Sequence, residues 1–149
     1  MRRLGLVSIC LLAFIVLNIM ESVANQKKSL KAILDEKKDH RRVVLLYGRD
    51  INQGHLIEQQ QALTAAPDGL AERDLDVIVL INSELMEPDR QFLMHTYHEF
   101  VPSDDFAGYL IGKDGLLKKK FTKPIAADEL FKTIDAMPMR KDEIKKQHD

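Results

Sequence analysis

Residues Arg41–Leu56 read RRVVLLYGRDINQGHL and pass from an apolar run into a polar turn. Val43–Tyr47 is a run of consecutive apolar residues without alternation, which predicts a strand buried on both faces of a sheet. Asp50 follows this run, and Gln53 stands three residues later, a spacing that predicts a capping box at the start of a helix. The stretch therefore predicts a strand-to-helix junction, a place where many α/β proteins carry a reactive or binding group.

The segments that follow extend this pattern into one α/β domain. Further helices are predicted around 26–40, 56–66, 88–100 and Ala126–Ala136, and further strands at Asp76–Ile81, Phe106–Ile111 and Leu116–Phe121. Pro67-Asp68-Gly69 predicts a turn, and Asp114-Gly115 predicts the turn of a hairpin. Lys118-Lys119-Lys120 in the last strand predicts an edge that is protected against pairing.

The order of these elements predicts the fold class. Two apolar strands joined by a helix imply a right-handed parallel crossover, and the later hairpin adds antiparallel strands. We therefore predict an α/β, thioredoxin-like fold, with a central mixed sheet of about four strands flanked by helices, a C-terminal β-hairpin and then a helix.

The first 24 residues have the pattern of a secretory signal. Two arginines follow Met1, Leu4–Met20 is almost continuously apolar, and Ser22 and Ala24 stand at −3 and −1 of a cleavage site. We predict cleavage after Ala24 and a periplasmic or secreted protein; the alternative is a retained segment that anchors the chain in the membrane. The predicted organisation is a signal peptide at 1–24, an N-terminal helix at 25–40, a thioredoxin-like domain at 41–143 and a polar tail at 144–149.

Cys10 is the only cysteine among the 149 residues, and it lies within the predicted signal. Cleavage leaves a mature chain without cysteine, which excludes disulfides, thiol redox chemistry and cysteine–metal sites there. The chain has 22 basic and 23 acidic side chains; without Arg2, Arg3 and Glu21, 20 and 22 remain, a net charge of −2. That balance does not indicate a nucleic-acid partner. We predict no cofactor, a protein or small-ligand partner in the cell envelope, and a membrane contact only if the N-terminal segment is retained.

Three stretches of the chain resemble a known family. They are LIGKDG at Leu110–Gly115, Glu72-Arg73-Asp74, and IDAMPMR at Ile134–Arg140 with Glu143 after it. They resemble the DUF4174 family, a domain of unknown function found in bacterial secreted proteins and related to domains in animal extracellular matrix and sushi-repeat proteins. The resemblance spans about 41–143 and implies a thioredoxin-like fold without the usual cysteine pair. It implies that Gly48–His55 occupies the position of that pair, and it supplies no catalytic residues.

The junction Gly48–His55 is the first candidate site. A helix N-terminus offers free N–H groups and a partial positive charge, and Arg49 beside it could help to bind a phosphate or carboxylate. Asp50 is most simply a cap, and His55 is of a type that titrates near neutral pH. These residues permit a binding site or, as the alternative, an enzyme whose site uses no cysteine.

Met137-Pro138-Met139-Arg140 is the second candidate site. Methionines that follow a helix usually fill gaps at the edge of a core, and Pro138 sets the direction in which the chain leaves the helix. Arg140 pairs either with an internal carboxylate or with a ligand. We hypothesise that Met137, Met139 and Arg140 form a partner-binding edge.

His95 and His98 are three residues apart, a spacing compatible with one metal ion. We predict that both are exposed, because Leu93, Tyr97 and Phe100 mark the opposite, buried face. Asp104 and Asp105 are near in sequence and could complete a site, but a solvated loop is the simpler interpretation of them. We therefore predict no metal and retain the two histidines as weak candidates. The leading predicted function is a non-catalytic binding or interaction module, with a cysteine-independent enzyme as the alternative.

Overall fold

The computed structural model describes residues 28–148, so the predicted signal, its cleavage after Ala24 and the alternative anchor lie outside the described residues. Four strands form one mixed sheet in the order β2-β1-β3-β4. They are β1 at Arg42–Gly48, β2 at Leu75–Ile81, β3 at Phe106–Ile111 and β4 at Leu117–Phe121. β1 pairs in parallel with β2 and antiparallel with β3, which pairs antiparallel with β4. The predicted α/β architecture with a C-terminal hairpin followed by a helix is confirmed.

Helices cover both faces of the sheet. They are α1 at Leu30–Lys37, α2 at Gly54–Thr64, α3 at Pro67–Glu72, α4 at Glu87–Thr96, α5 at Ala127–Asp135 and α6 at Pro138–His148, with a short 3₁₀ turn at Asn82–Glu84. Within residues 28–148, none of these helices has the length and apolar character needed to cross a membrane.

Strand β1 lies at the centre of the sheet, and all seven of its residues are buried. Because side chains alternate along a strand, Val43, Leu45 and Tyr47 face a core formed with α1 and α4. Val44 and Leu46 face a second core, formed with α2 and α5. The unbroken apolar run therefore supplies both cores, as the sequence predicted.

The predicted capping box at the junction is wrong. The N-cap of α2 is Gln53, whose side-chain Oε1 accepts a hydrogen bond from Leu56 N at 2.8 Å. Asp50 instead accepts from Asn52 N at 2.7 Å, which stabilises a local turn. The helix therefore begins at Gly54, because the chain makes this extra turn before it becomes helical.

Two other boundaries differ from the prediction. The turn predicted at Pro67 is instead the start of helix α3. A proline fits there because the first residue of a helix has no hydrogen bond from its backbone nitrogen to lose. In the same way Pro138 starts α6, and residues 144–148 of the predicted polar tail continue that helix.

The second apolar strand is not buried in the way that the first is. β2 lies at an edge of the sheet, and Val79 is 37% exposed. An apolar run indicates burial but not the order of strands, and here β1 takes the central place. The opposite edge is β4, where Lys118, Lys119 and Lys120 lie as predicted.

Gly108 allows β3 and β4 to approach each other closely. A Cβ atom at this position would lie 2.0 Å from Cζ of Phe121, whose ring is buried and packs near that of Phe106. We expect Gly108→Ala to lower the free energy of unfolding by about 1–3 kcal/mol, because the ring must move within a packed core. Chemical denaturation followed by circular dichroism measures this change.

Gly54→Ala is the matched control for Gly108→Ala. No atom lies within 4 Å of a Cβ built on Gly54, which is the first residue of α2. Alanine there should leave stability unchanged or raise it by up to about 1 kcal/mol. Equal effects of the two substitutions would contradict the close packing of Gly108 on Phe121.

Candidate functional site

Arg42, the first residue of β1, is a buried arginine with only 1% of its surface exposed. Its guanidinium donates to both carboxylate oxygens of Glu143 on α6, at 3.2 and 3.1 Å, and to the backbone oxygen of Arg73 at 2.9 Å. Lys113 Nζ, from the β3–β4 turn, lies 2.8 Å from Glu143 and 2.8 Å from Asp74. These contacts join the start of β1 to the last helix and to the hairpin.

A second buried arginine, Arg140, extends this group of charges. It is also 1% exposed, and its guanidinium donates to Glu72 at 2.7 Å and to Asp135 at 3.3 Å. Arg73 donates to both oxygens of Asp135, at 3.0 and 2.7 Å. The contacts therefore link α3, α5 and α6.

We call these residues the charge cluster: Arg42, Arg73, Lys113 and Arg140 with Glu72, Asp74, Asp135 and Glu143. Its four positive and four negative side chains balance. Its four positive side chains are largely withdrawn from water, and buried charges are tolerated only when they are paired and hydrogen-bonded, as these are. This mutual pairing indicates a structural cluster. Arg140 therefore takes the internal pairing that the sequence allowed.

Two carboxylates of the charge cluster, Glu143 and Asp135, have lowered pKa values. Burial alone would raise the pKa of Glu143, but hydrogen bonds from Arg42 and Lys113 outweigh burial and hold it below its ordinary value. Burial likewise opposes ionisation of Asp135, and hydrogen bonds from Arg73 and Arg140 again lower its pKa. Both groups therefore favour the folded state in their ionised form.

A cavity of about 280 Å³ adjoins the charge cluster. It is lined by Gly112, Lys113, Asp114 and Lys118 from the hairpin, by Met137, Pro138 and Met139 from the α5–α6 connection, and by the buried Arg42. Met139 is 46% exposed, whereas Met137 packs partly against the core. The structure thus places the two predicted methionines at this cavity, and Arg140 is not among its lining residues.

The hairpin side of the cavity has a well-defined shape. Gly115 adopts φ +78°, which a turn at this point requires and glycine adopts without strain. Asp114 accepts a hydrogen bond from Leu116 N at 3.0 Å and forms an ion pair with Lys118. The polar rim is therefore fixed by its own contacts.

The junction residues lie at the opposite end of β1. Arg49 Nε is 3.0 Å from Asp105, and its Nη2 donates to the backbone oxygen of Ser103 at 2.8 Å. His55 is exposed, and its ring meets the Phe106 ring edge-on, with centroids 5.9 Å apart. The six-residue rise of β1 separates this end from Arg42 by about 20 Å. The two predicted sites are therefore distinct.

His95 lies in the last turn of α4 and His98 just after it, and both are exposed as predicted. Among residues 28–148, no group of three or more His, Cys, Asp or Glu side chains is arranged to hold a metal ion. We therefore base no proposal on these two histidines.

Sequence reasoning did not identify Arg42, Lys113 or Lys118 as members of a site. Arg42 directly precedes the apolar run Val43–Tyr47, and this position could have indicated a buried arginine that needs an acidic partner. For the lysines the available signal was the position of the hairpin turn, which the sequence located correctly. What the sequence did not show is that this turn and α6 meet.

We expect Glu143→Ala to lower the free energy of unfolding by about 3 kcal/mol, because it leaves the buried Arg42 without its carboxylate. Asp142→Ala is the control on the same helix, and its exposed side chain should contribute within about 0.5 kcal/mol. Urea unfolding of both variants measures the difference. Similar values for the two would show that the charge cluster does not stabilise the fold.

The lowered carboxylate pKa values predict a loss of stability in acid. A carboxylate whose pKa is lowered by folding stabilises the folded state fully when the pH is above the pKa of the unfolded chain, which is about 4. This contribution disappears as the pH falls through the pKa of the folded state. We expect the melting temperature to fall below about pH 4 and to fall less steeply in Glu143→Gln, which is already less stable at neutral pH. Identical slopes in thermal melts of parent and variant would refute a contribution from Glu143.

Comparisons with known proteins agree with this architecture. No curated protein matches the chain. Among solved structures, the chain is similar to a reduced 2-Cys peroxiredoxin of Plasmodium vivax, with a TM-score of 0.53 and 15% sequence identity over 73% of this chain and 84% of that chain. At that identity the likeness concerns the fold alone, and it confirms the predicted thioredoxin-like arrangement.

The three stretches that carry the family resemblance converge in the structure, since Glu72–Asp74, the hairpin turn and the α5–α6 connection all contribute to the charge cluster or the cavity. Residues 33–143 match the family model described as a domain of unknown function, DUF4174. The chain therefore belongs to the DUF4174 family and has a thioredoxin-like fold.

Proposed function

We propose that this domain is a non-catalytic binding module that acts in the cell envelope or outside the cell. The observation that carries the proposal is the cavity between the hairpin turn and the α5–α6 connection. It combines a methionine-lined wall with a polar rim whose charges are already paired. That combination suits recognition of an apolar group with polar surroundings, and the described residues that line the cavity include no unpaired acid, base or nucleophile.

Methionine is well suited to such a wall. Its side chain is unbranched and polarizable, so it adapts to apolar groups of different shape, and methionine-rich surfaces are frequent in binding proteins. Met139 is available to a partner because it is half-exposed, while the pairing of Arg42 with Glu143 holds the adjoining backbone in place. The partner class that fits best is a protein segment that inserts an apolar side chain between Met137 and Met139.

The location outside the cytoplasm rests on the N-terminal sequence pattern. A basic start, an apolar run and small residues before Asn25 are typical of a cleaved signal. Loss of Cys10 with that signal leaves the domain without thiol chemistry, which favours binding over redox catalysis in this fold.

An enzyme at the junction Gly48–His55 remains the alternative. Acid–base catalysis needs a group held at a substrate pocket with freedom to exchange its proton. Here Arg49 contacts Asp105 and Ser103, and Asp50 accepts a backbone hydrogen bond from Asn52. These local contacts account for both side chains without a substrate, so they support the binding module more than the enzyme.

The experiment is affinity capture from cell-envelope extract with the purified protein as bait, followed by binding measurements with the captured partner. Met139→Lys tests the cavity, and Met94→Lys is its control, since the two methionines are 46% and 48% exposed and Met94 lies on α4. We expect Met139→Lys to weaken binding about tenfold or more, because a buried lysine at an interface lacks a partner charge. Met94→Lys should bind as the parent does.

An Arg49→Ala/His55→Ala variant is captured and measured beside these two. Retained binding by this variant, with loss in Met139→Lys, supports the cavity as the binding surface. Loss only in the double variant would move the surface to the junction and favour the alternative. Absence of any partner in all samples would contradict the binding-module proposal.

A further inference from the structure

Strand β2 is an edge strand without the usual protection against pairing. Its seven residues, LDVIVLI, contain one charge, Asp76, and neither proline nor glycine. Its register with β1 is continuous, so no bulge turns the edge away. The other edge, β4, has three lysines and a register shift against β3. Natural edge strands normally carry such devices, and their absence from β2 indicates a strand that receives a partner.

The backbone of β2 has a free side. Within residues 28–148, all backbone hydrogen bonds of β2 run to β1, and no other main-chain or side-chain group bonds to the backbone of β2. An edge strand of this length presents a row of donors and acceptors to an added strand. Val79, at 37% exposure, is the most exposed of its side chains.

A groove lies on each face of the sheet beside this edge. The first, about 140 Å³, lies toward α1 and α4 and includes Ile33, Ile78 and Leu80 in its lining. The second, about 460 Å³, lies toward α2 and α3 and includes Leu70 and Val77. Side chains of an added strand alternate between the two faces of a sheet, so they would enter these grooves in turn.

We propose that β2 pairs antiparallel with β2 of a second copy of this chain, which joins two four-stranded sheets into one of eight strands. The two-fold axis passes at Ile78, so that Val77 lies opposite the partner's Val79 and Asp76 opposite the partner's Leu80. The strand is self-complementary in this register, because no like charges face each other and apolar side chains meet at every pair except Asp76 with Leu80. This interface is separate from the cavity of the proposed function.

The charges at the start of β2 are basic in excess. Lys37 and Arg41 both form ion pairs with Asp76, the one acidic residue of the strand. Arg41 has a longer contact of 3.8 Å with Asp74, whose other partner is Lys113. Two cations therefore share the carboxylate nearest to the edge.

The charges at the end of β2 are acidic in excess. Glu84 and Asp89 line the groove there, and the two cations at this end have acidic partners of their own, Lys28 with Glu36 and Arg90 with Glu87. An antiparallel two-fold arrangement places the basic start of each strand beside the acidic end of the other. This charge complementarity favours a second copy over an unrelated strand.

The test is sedimentation equilibrium of the protein purified from cells that express the full chain, over a wide range of concentration. Val79→Lys places a charge on the free edge, and Leu116→Lys is the control, because Leu116 is exposed and lies in the β3–β4 turn. We expect the parent and Leu116→Lys to form a dimer. For Val79→Lys we expect a dimer dissociation constant that is higher by about tenfold or more. A monomeric parent, or equal dimerisation of all three, overturns the proposal.

A cross-link tests the register and does not depend on how Val79→Lys folds. Residues opposite each other across antiparallel strands have Cβ atoms about 4.5–5.5 Å apart, close enough for a disulfide after small adjustment. Mild oxidation should link Ile78→Cys into a covalent dimer and leave Leu116→Cys monomeric under denaturing electrophoresis. A link through Leu116→Cys but not Ile78→Cys would place any dimer interface elsewhere. The edge would then be covered by the chain before residue 28 or by another protein, and the proposal would fail.

Discussion

The pairing of Arg42 with Glu143 is the contact on which the arrangement of the domain depends. It joins the first residue of the central strand to the last helix, 101 positions later in the chain. A buried arginine without a carboxylate would cost several kcal/mol, so α6 must pack where its glutamate reaches Arg42. That placement also brings Met137 and Met139 beside the hairpin turn and so creates the cavity.

The two ends of β1 carry different groups of side chains. In a thioredoxin-like domain the strand-to-helix junction is the usual site of thiol chemistry, and here it holds Arg49, Asp50 and His55 in local contacts. The opposite end, about 20 Å away, holds the charge cluster and the cavity. The proposed function uses the end with the partly apolar opening, because the polar groups at the junction are exposed and already in local contacts.

The two edge strands of the sheet differ in the side chains that they carry. β4 carries three lysines, which pair with nearby carboxylates of Asp114, Glu129 and Asp104, and charges at an edge keep other strands away. β2 carries apolar side chains beside two grooves, and no strand within residues 28–148 pairs with the outer side of its backbone. A domain with a cavity at one end and an open strand at one edge has two independent surfaces, which is consistent with a module that assembles and binds.

The sequence by itself determined the elements whose signals are local. The unbroken apolar run Val43–Tyr47, the Asp-Gly turn and the apolar spacing of α5 each predicted their structures, because burial and backbone preference act over a few residues. Only the tertiary structure decided that β2 lies at an edge and that Arg140 is buried among carboxylates. Those outcomes depend on contacts between residues distant in sequence, and a charge or an apolar run has no local mark of the partner that it will meet.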